Sequence, residues 1–530
     1  MFHHQPASYL SASLTPISSS LHSAAFKHMA SMPLRIASNS VSSLLNLTFD
    51  GPCRLASNSG FYGHPDQPLN NIPLSTSASA NRRTRRFLSQ VPLHATNAPN
   101  RETIKSQSSL SFDVVIIGAG IIGLTIARQF LLFSDLSVAI LDAAVPCAGA
   151  TGAGQGYIWR INKTPGAEKW ELASRSHQLW VILAESLQHQ GLNPLQILGW
   201  MKTGSLLVGK TKEESTLLKA KVKQLCDAGL EAVFLSNQDL LLKEPALVLG
   251  KEGTAAYLPD DCQLDARCAV AFLEKENRHF ATEGRYAEFY HEPATYLLRS
   301  GSSGEVDAVQ TSKNTIFSKK AVVMAAGCWT GTLMHELIKS TNIKLDIPVK
   351  PRKGHLLVVE NFNSFKLNHG LMEAGYVNHQ SASLPSTASH KRPLYDAQAT
   401  SVSMTATMDT SGNLILGSSR QLLGFNVDVD ESIINRIWQR AAEFFPALTE
   451  KSLDELKKNR AVRVGLRPYM PDGKPVIGPV PGWSNFYIAA GHEGEGLTLA
   501  LGTAEMIVDM VLGNPGKVDP KPYAVDRCCT

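Results

Sequence analysis

Acidic residues are nearly missing from the first hundred positions of this 530-residue chain. Only Asp50 and Asp66 occur there, against Lys27, Arg35, Arg54, Arg82, Arg83, Arg85 and Arg86. That imbalance accounts for the whole formal net charge of +5, so the remainder of the chain is balanced. A neutral body offers no basic stripe for a polyanion, and no nucleic-acid partner is expected. The serine-rich leader, with "SASLTPISSS" and "NRRTRRFLSQ", reads as a disordered transit peptide over residues 1–100. Its serine content points to the chloroplast, with the mitochondrion as the alternative.

Paired cysteines are lacking too. The eight cysteines include no C-x-x-C, which excludes a disulfide framework or a zinc ribbon, and no metal site is expected. None is fourth from the end, which excludes a prenylation box. The apolar run Val114–Phe133 contains three glycines and is interrupted by Arg128 and Gln129. It reads as strand, turn and helix rather than as a membrane span, and the chain is not expected to be an integral membrane protein.

What is present begins with "FDVVIIG", the continuous apolar run of a strand buried on both faces. Gly118, Gly120 and Gly123 follow in G-x-G-x-x-G spacing, and "LTIARQFLLF" then has helical periodicity. The first glycine permits a tight turn, the second lets a pyrophosphate approach, and the third lets helix and strand pack closely. The phosphates would sit on the helix N-terminus, at Ile121 and Ile122. A second strand, "SVAILD", ends at Asp142, placed to accept hydrogen bonds from ribose hydroxyls. Residues alone leave NAD or FAD open here. The glycine-rich "CAGATGAGQGYIW" after this acid favours FAD, because it lets backbone wrap a bulky ligand.

Four motifs in order resemble the D-amino-acid oxidase superfamily of FAD-dependent oxidoreductases, in its glycine oxidase and D-amino-acid dehydrogenase branch. Ala150, Thr151, Gly152 and Gly156 resemble the A-[ST]-G-x-x-x-G segment that wraps the flavin end. "KKAVVMAAGCWTGTL" resembles the second flavoprotein signature, with Ala326 and Gly327 at its strand end. "LDIPVKPRKGHLLVVE" resembles the entry to the substrate domain, with Lys353 at the usual arginine position. "GLRPYMPDGKPVIG" through "GHEGEGLTLALG" resembles the closing segment almost throughout. Upstream, "YAEFYHEPATYLLRSG" reads as a strand pair whose Thr295 falls where the family's strand meets adenine.

The resemblance covers Phe112 to Gly513 and implies a plant organellar flavoenzyme. It implies an α/β fold: a Rossmann-like FAD-binding domain interleaved with an α+β substrate domain on a mostly antiparallel sheet. The FAD-binding segments would be 110–199, 262–346 and 466–516. The substrate segments would be 200–261 and 347–465, with a disordered loop at 379–403, and 517–530 would be a tail. FAD would be held non-covalently by the glycines above with Asp142, Thr151, Thr295, Ala326, Gly327, Gly491, Gly494, Gly496 and Leu497. Arg467 would bind a substrate carboxylate, with Glu493 and His492 beside the flavin in catalytic positions. Arg160 and Lys353 are secondary candidates. From residues alone, an ion pair between Arg467 and Asp472 or another acid is equally open.

The implied activity is oxidation of the C–N bond of a small amino or imino acid by hydride transfer to flavin N5. Glycine, a D-amino acid or an N-alkyl amino acid would serve. The electron acceptor would be oxygen, a quinone or a redox protein. The chain departs from glycine oxidases at Gly494, where they carry arginine. The oxygen-activating lysine of sarcosine oxidases falls near Ile415. The same resemblance also admits a flavin-containing assembly factor or binding protein with little or no turnover.

Overall fold

The computed structural model describes residues 110–300, 304–337, 345–376 and 401–528. The leader and most of the 379–403 segment lie outside these residues. The last three positions of that segment, 401–403, open a strand.

The chain weaves between two sheets. It begins with β1 (Leu110–Ile117), α1 (Ile121–Phe133), β2 (Val138–Leu141) and α2 (Trp170–His189). It then crosses to a second sheet for β3 (Ser205–Gly209), β4 (Val233–Leu235) and β5 (Thr254–Leu258). It returns through α3 (Ala266–Arg278), β6 (Tyr286–Phe289), β7 (Ala294–Arg299), β8 (Val306–Thr311) and β9 (Thr315–Met324). A second excursion gives β10 (Lys350–Val359), β11 (Gly370–Glu373), β12 (Ser401–Met408), β13 (Leu414–Arg420), α4 (Glu431–Ala442) and β14 (Arg460–Tyr469). The last return supplies β15 (Val476–Pro479), β16 (Phe486–Ala490) and α5 (Gly496–Leu512).

The first sheet runs β15-β16-β9-β1-β2-β6, parallel from β16 to β6, with β8 and β7 continuing from β9 as a meander. Side chains of β1 alternate between its two faces, as a pleat requires. Val114 and Ile116 join the layer under α1, α2, α3 and α5. Val115 and Ile117 pack beneath Leu297, Val306 and Val309 of the meander. This is a three-layer unit with both faces of a parallel sheet covered. The expected pairing of β6 with β7 does not occur. β6 pairs with β2 and β7 with β8, because the intervening chain turns to hydrogen-bond Asp142 O through Glu292 N at 2.9 Å.

The second sheet runs β14-β10-β13-β12-β11-β3-β5-β4 and is antiparallel except at β11–β3. One face packs Leu357, Met404, Ala406 and Leu416 against Ile433, Ile434, Ile437 and Trp438 of α4. The other face turns toward the first sheet. A Cβ on Gly465 would lie 2.7 Å from Ala153 Cβ, so only glycine lets β14 touch the loop after β2.

Two boundaries shift. β14 runs to Tyr469, so the return to the first sheet falls after 469 and Arg467 belongs to the second sheet. Residues 517–530 are not a free tail over their described part. Tyr523 and Val525 are buried, and the Tyr523 hydroxyl donates to Glu168 O at 2.5 Å.

Candidate active site

The turn from β1 into α1 is made by glycines that protein atoms demand. Gly118 has φ +116°, and a Cβ there would lie 2.4 Å from Ala325 O. A Cβ on Gly123 would lie 1.9 Å from Gly118 O. Gly152 and Gly156 are equally tight, at 2.2 Å from Cys147 O and 2.0 Å from Leu264 O. Gly120 differs, since a Cβ there would meet nothing closer than Thr151 Oγ1 at 3.4 Å. Glycine at 120 therefore answers to space for a ligand rather than to packing.

The Ile121 N–H donates to Thr151 Oγ1 at 3.1 Å, so it is taken, contrary to the expectation that it faces phosphate. Ile122 and Gly123 follow with no protein acceptor among the described residues. No acid occupies the first turn of α1, which leaves its N-terminus open to an anion. Asp142 ties the turn together: Ala119 N donates to Oδ2 and Ala144 N to Oδ1, each at 2.7 Å. Each carboxylate oxygen keeps a lone pair for a ribose hydroxyl. Gly327, at φ +56°, follows Ala326 at the end of β9, beside Gly118. Thr295 is exposed on β7, and its hydroxyl donates to Gln310 O at 3.2 Å. Open N–H groups, a ribose acceptor and a vacant Gly120 side fit a dinucleotide.

The start of α5 closes on this cradle. Gly496 lies against Ile121, and Leu497 reaches toward Gly154. Trp180 of α2 donates from Nε1 to Leu497 O at 2.9 Å, fixing that end of the helix. Gly491 has φ +77° and packs on Met470. Two residues of the turn between β16 and α5 point inward. His492 is 3 % exposed, with Nε2 3.0 Å from Thr503 Oγ1. Burial pushes it down to about 3, with Glu495 opposing weakly. It is a buried, neutral histidine held to α5 by Thr503.

Glu495 is buried between Lys163 and Lys169, the latter at 2.9 Å. Burial raises its carboxyl, but the two ammonium groups outweigh this and bring it down to about 2. Neither lysine was singled out by sequence, because they come from a loop over three hundred positions away (|i−j| is 332 and 326).

Arg467 projects from β14 onto the face that looks at the Ala150–Gly154 loop. Its guanidinium lies flat on Gly354 of β10, whose hypothetical Cβ would fall 2.3 Å from Nη1 and 2.5 Å from Cζ and Nη2. Nη1 donates to Ser419 O at 2.9 Å. Gly494 borders its other side. Among the described residues no carboxylate comes within ion-pair distance of it. The Asp472 alternative is excluded: Asp472 pairs with Arg527 Nε at 2.9 Å, and Arg527 also caps the Lys474 and Pro475 carbonyls.

Glu493 has φ +49° and pairs with Arg352, whose Nε donates to Oε1 at 2.8 Å. Burial raises its carboxyl, yet Arg352 and then Arg467 outweigh this and hold it below the usual range. Glu493 is thus an ionised neighbour of Arg467 that is already engaged. Lys353 is not at the site. Strand alternation turns it to the opposite face, where Nζ donates to Asn426 Oδ1 at 2.5 Å. Arg352, directly opposite Arg467 in the β10–β14 register, is the arginine that sequence reading missed. Period-two counting back from Gly354 was the available signal. Arg160 serves structure: its N–H, with that of Ile161, donates to buried Asp261 at 2.8 and 3.0 Å. Ile415 is buried and apolar beside Leu356 and Val358. Among the described residues no cluster of His, Cys, Asp or Glu could hold a metal ion, and no helix is long and apolar enough to cross a membrane.

A dinucleotide cradle facing an arginine-bearing antiparallel sheet defines a flavoprotein oxidoreductase architecture. The chain matches the family described as FAD dependent oxidoreductase (DAO) over residues 113–510, and it belongs to that family, with FAD as its cofactor. It is 25% identical over 425 residues to a glycine oxidase of Pseudomonas aeruginosa, covering 78% of this chain and 99% of the relative. It is 24% identical to the hydrogen cyanide synthase subunit HcnC of Pseudomonas protegens, covering 79% and 97%. Among solved structures, the glycine oxidase of Geobacillus kaustophilus superposes with TM-score 0.64 at 22% identity, covering 79% and 99%. The L-proline dehydrogenase of P. horikoshii gives TM-score 0.63 at 18% identity, covering 79% and 98%.

Proposed function

We propose that this FAD-dependent oxidoreductase oxidises the C–N bond of a small amino or imino acid. The observation that carries the reading is Arg467. It is a half-buried guanidinium on the cradle-facing side of the second sheet, aimed by Ser419 O and Gly354, with no carboxylate at ion-pair distance among the described residues. A planar fork of that kind suits bidentate binding of a carboxylate. Gly118, Gly120, Gly123, Asp142, the Ala150–Gly156 loop and the start of α5 would hold FAD, which when bound supplies the two-electron acceptor. The chain's own contribution is to bind the carboxylate at Arg467, to orient the α-carbon, and to keep Glu493 ionised nearby. Relatives named for glycine oxidation support the substrate class. We read the acid-poor leader as an import signal for the chloroplast, and oxygen, a quinone or a redox protein as the acceptor.

The test is anaerobic mixing of the purified holoenzyme with glycine, D-amino acids, N-methyl amino acids and proline derivatives. Bleaching of the visible flavin band by one class supports the reading. A flavin untouched by every member overturns it and returns the binding-protein alternative.

A further inference from the structure

The face that carries Arg467 holds three more guanidiniums, Arg352, Arg420 and Arg463, the last turned to Gly154 O at 3.4 Å. Arg352 is neutralised by Glu493. Arg420 is not neutralised by any described carboxylate. It is only 6 % exposed, its Cζ sits 4.0 Å from the centre of the Tyr376 ring, and Nη1 reaches Ser403 Oγ at a long 3.4 Å. Its Nη2 is buried without any hydrogen-bond partner. Further along the adjoining strand, opposite Ile415, the hydroxyl of Thr407 is also buried and unpartnered. A buried cation left unpaired is strongly unfavourable, and buried polar atoms ordinarily find partners. One monocarboxylate on Arg467 would leave Arg420 as it is.

Resting on the oxidoreductase reading above, we infer that the substrate is an amino- or imino-dicarboxylic acid. Arg467 would take the carboxylate next to the reacting carbon, and Arg420 a second carboxylate on the side chain or the nitrogen substituent. β14, β10 and β13 are consecutive, so the two arginines stand two strands apart, about 10 Å between backbones. The Arg467 guanidinium itself lies over Gly354, on the strand between them, and so reaches toward Arg420. The Tyr376 hydroxyl feels both cations and hydrogen-bonds with Arg420: burial raises it, and Arg420 and then Arg467 bring it below its usual range.

The experiment uses the FAD-loaded protein and two readouts. Inert acids, malonate and succinate against acetate and propionate, are titrated by perturbation of the flavin spectrum and by thermal shift. Iminodiacetate, D-aspartate and D-glutamate are compared with glycine, sarcosine and D-alanine by anaerobic bleaching. The dicarboxylates should bind roughly thirtyfold more tightly, as expected for one extra charge-assisted pair. Arg420→Met should bring the two groups within about threefold. Should Arg420→Met lose its FAD, Arg420→Lys must still weaken the dicarboxylate preference. Equal affinity for both groups in the wild-type protein, or a preference that survives in either variant, overturns the inference. Bleaching by monocarboxylates without preference would sink only the dicarboxylate inference. Tight dicarboxylate binding without bleaching by any acid would sink only the oxidation reading.

Discussion

Replacing Gly354 with alanine should damage function while sparing the fold. The new Cβ would sit 2.3 Å from Arg467 Nη1 and 2.5 Å from Cζ and Nη2. Favourable contact begins near about 3.5 Å, so the guanidinium must move by about 1 Å. The far end of a flexible side chain can make that move without disturbing β10, and φ at Gly354 is not positive. Stability should therefore be kept, or rise by about 0.5 kcal/mol through the stiffer unfolded chain. The displaced fork loses its bond to Ser419 O and its aim at the substrate. A misplacement of about 1 Å costs on the order of 100-fold in rate. We expect kcat/KM for the bleaching substrate to fall about 100-fold, with FAD content and Tm unchanged. Gly375→Ala, where a Cβ would meet nothing within 4 Å, is the control. If Gly354→Ala keeps kcat/KM within about threefold of wild type, Arg467 does not hold the substrate.

Other perturbations have defined outcomes. Gly123→Ala places a Cβ 1.9 Å from Gly118 O, a main-chain atom with nowhere to go. That variant should purify without FAD or not fold, as flavin absorbance per protein will show. Trp180→Phe removes the donor to Leu497 O and should lower stability by about 1–3 kcal/mol in urea unfolding. His177 and His492 are both held down at about 3 by burial, below their ordinary value of 6.5. The unfolded chain therefore binds protons that the native one refuses. Stability is full above pH 6.5 and falls as pH drops toward 3. At about pH 5 each histidine costs about 2 kcal/mol, so the unfolding midpoint should drop sharply between neutrality and that pH. A flat profile there would contradict the neutral assignment of His492.

The nucleotide cradle was legible because it is local. Glycines at fixed offsets, an apolar strand and Asp142 lie within thirty positions, and backbone sterics alone assign their roles. Arg467 was legible only through resemblance, since its distinguishing feature is the lack of a partner, and partners come from distant chain. The same limit explains the misses. Lys353 was preferred to Arg352 because sequence position does not reveal which side of β10 faces the cradle. Arg420 was invisible because its isolation depends on the β13–β12 register. The burial of His492 was not legible because a turn motif does not show how deeply the turn is buried. Glu495 was passed over because both its lysines come from a stretch of chain more than three hundred positions away.

The most direct test compares wild-type protein with Arg467→Ala, both loaded with FAD, in anaerobic mixing with whichever amino or imino acid bleaches the wild type. The arginine assignment predicts equal FAD content and bleaching slowed by at least about 100-fold at low substrate, from loss of two charge-assisted bonds. Bleaching of Arg467→Ala at the wild-type rate would contradict it.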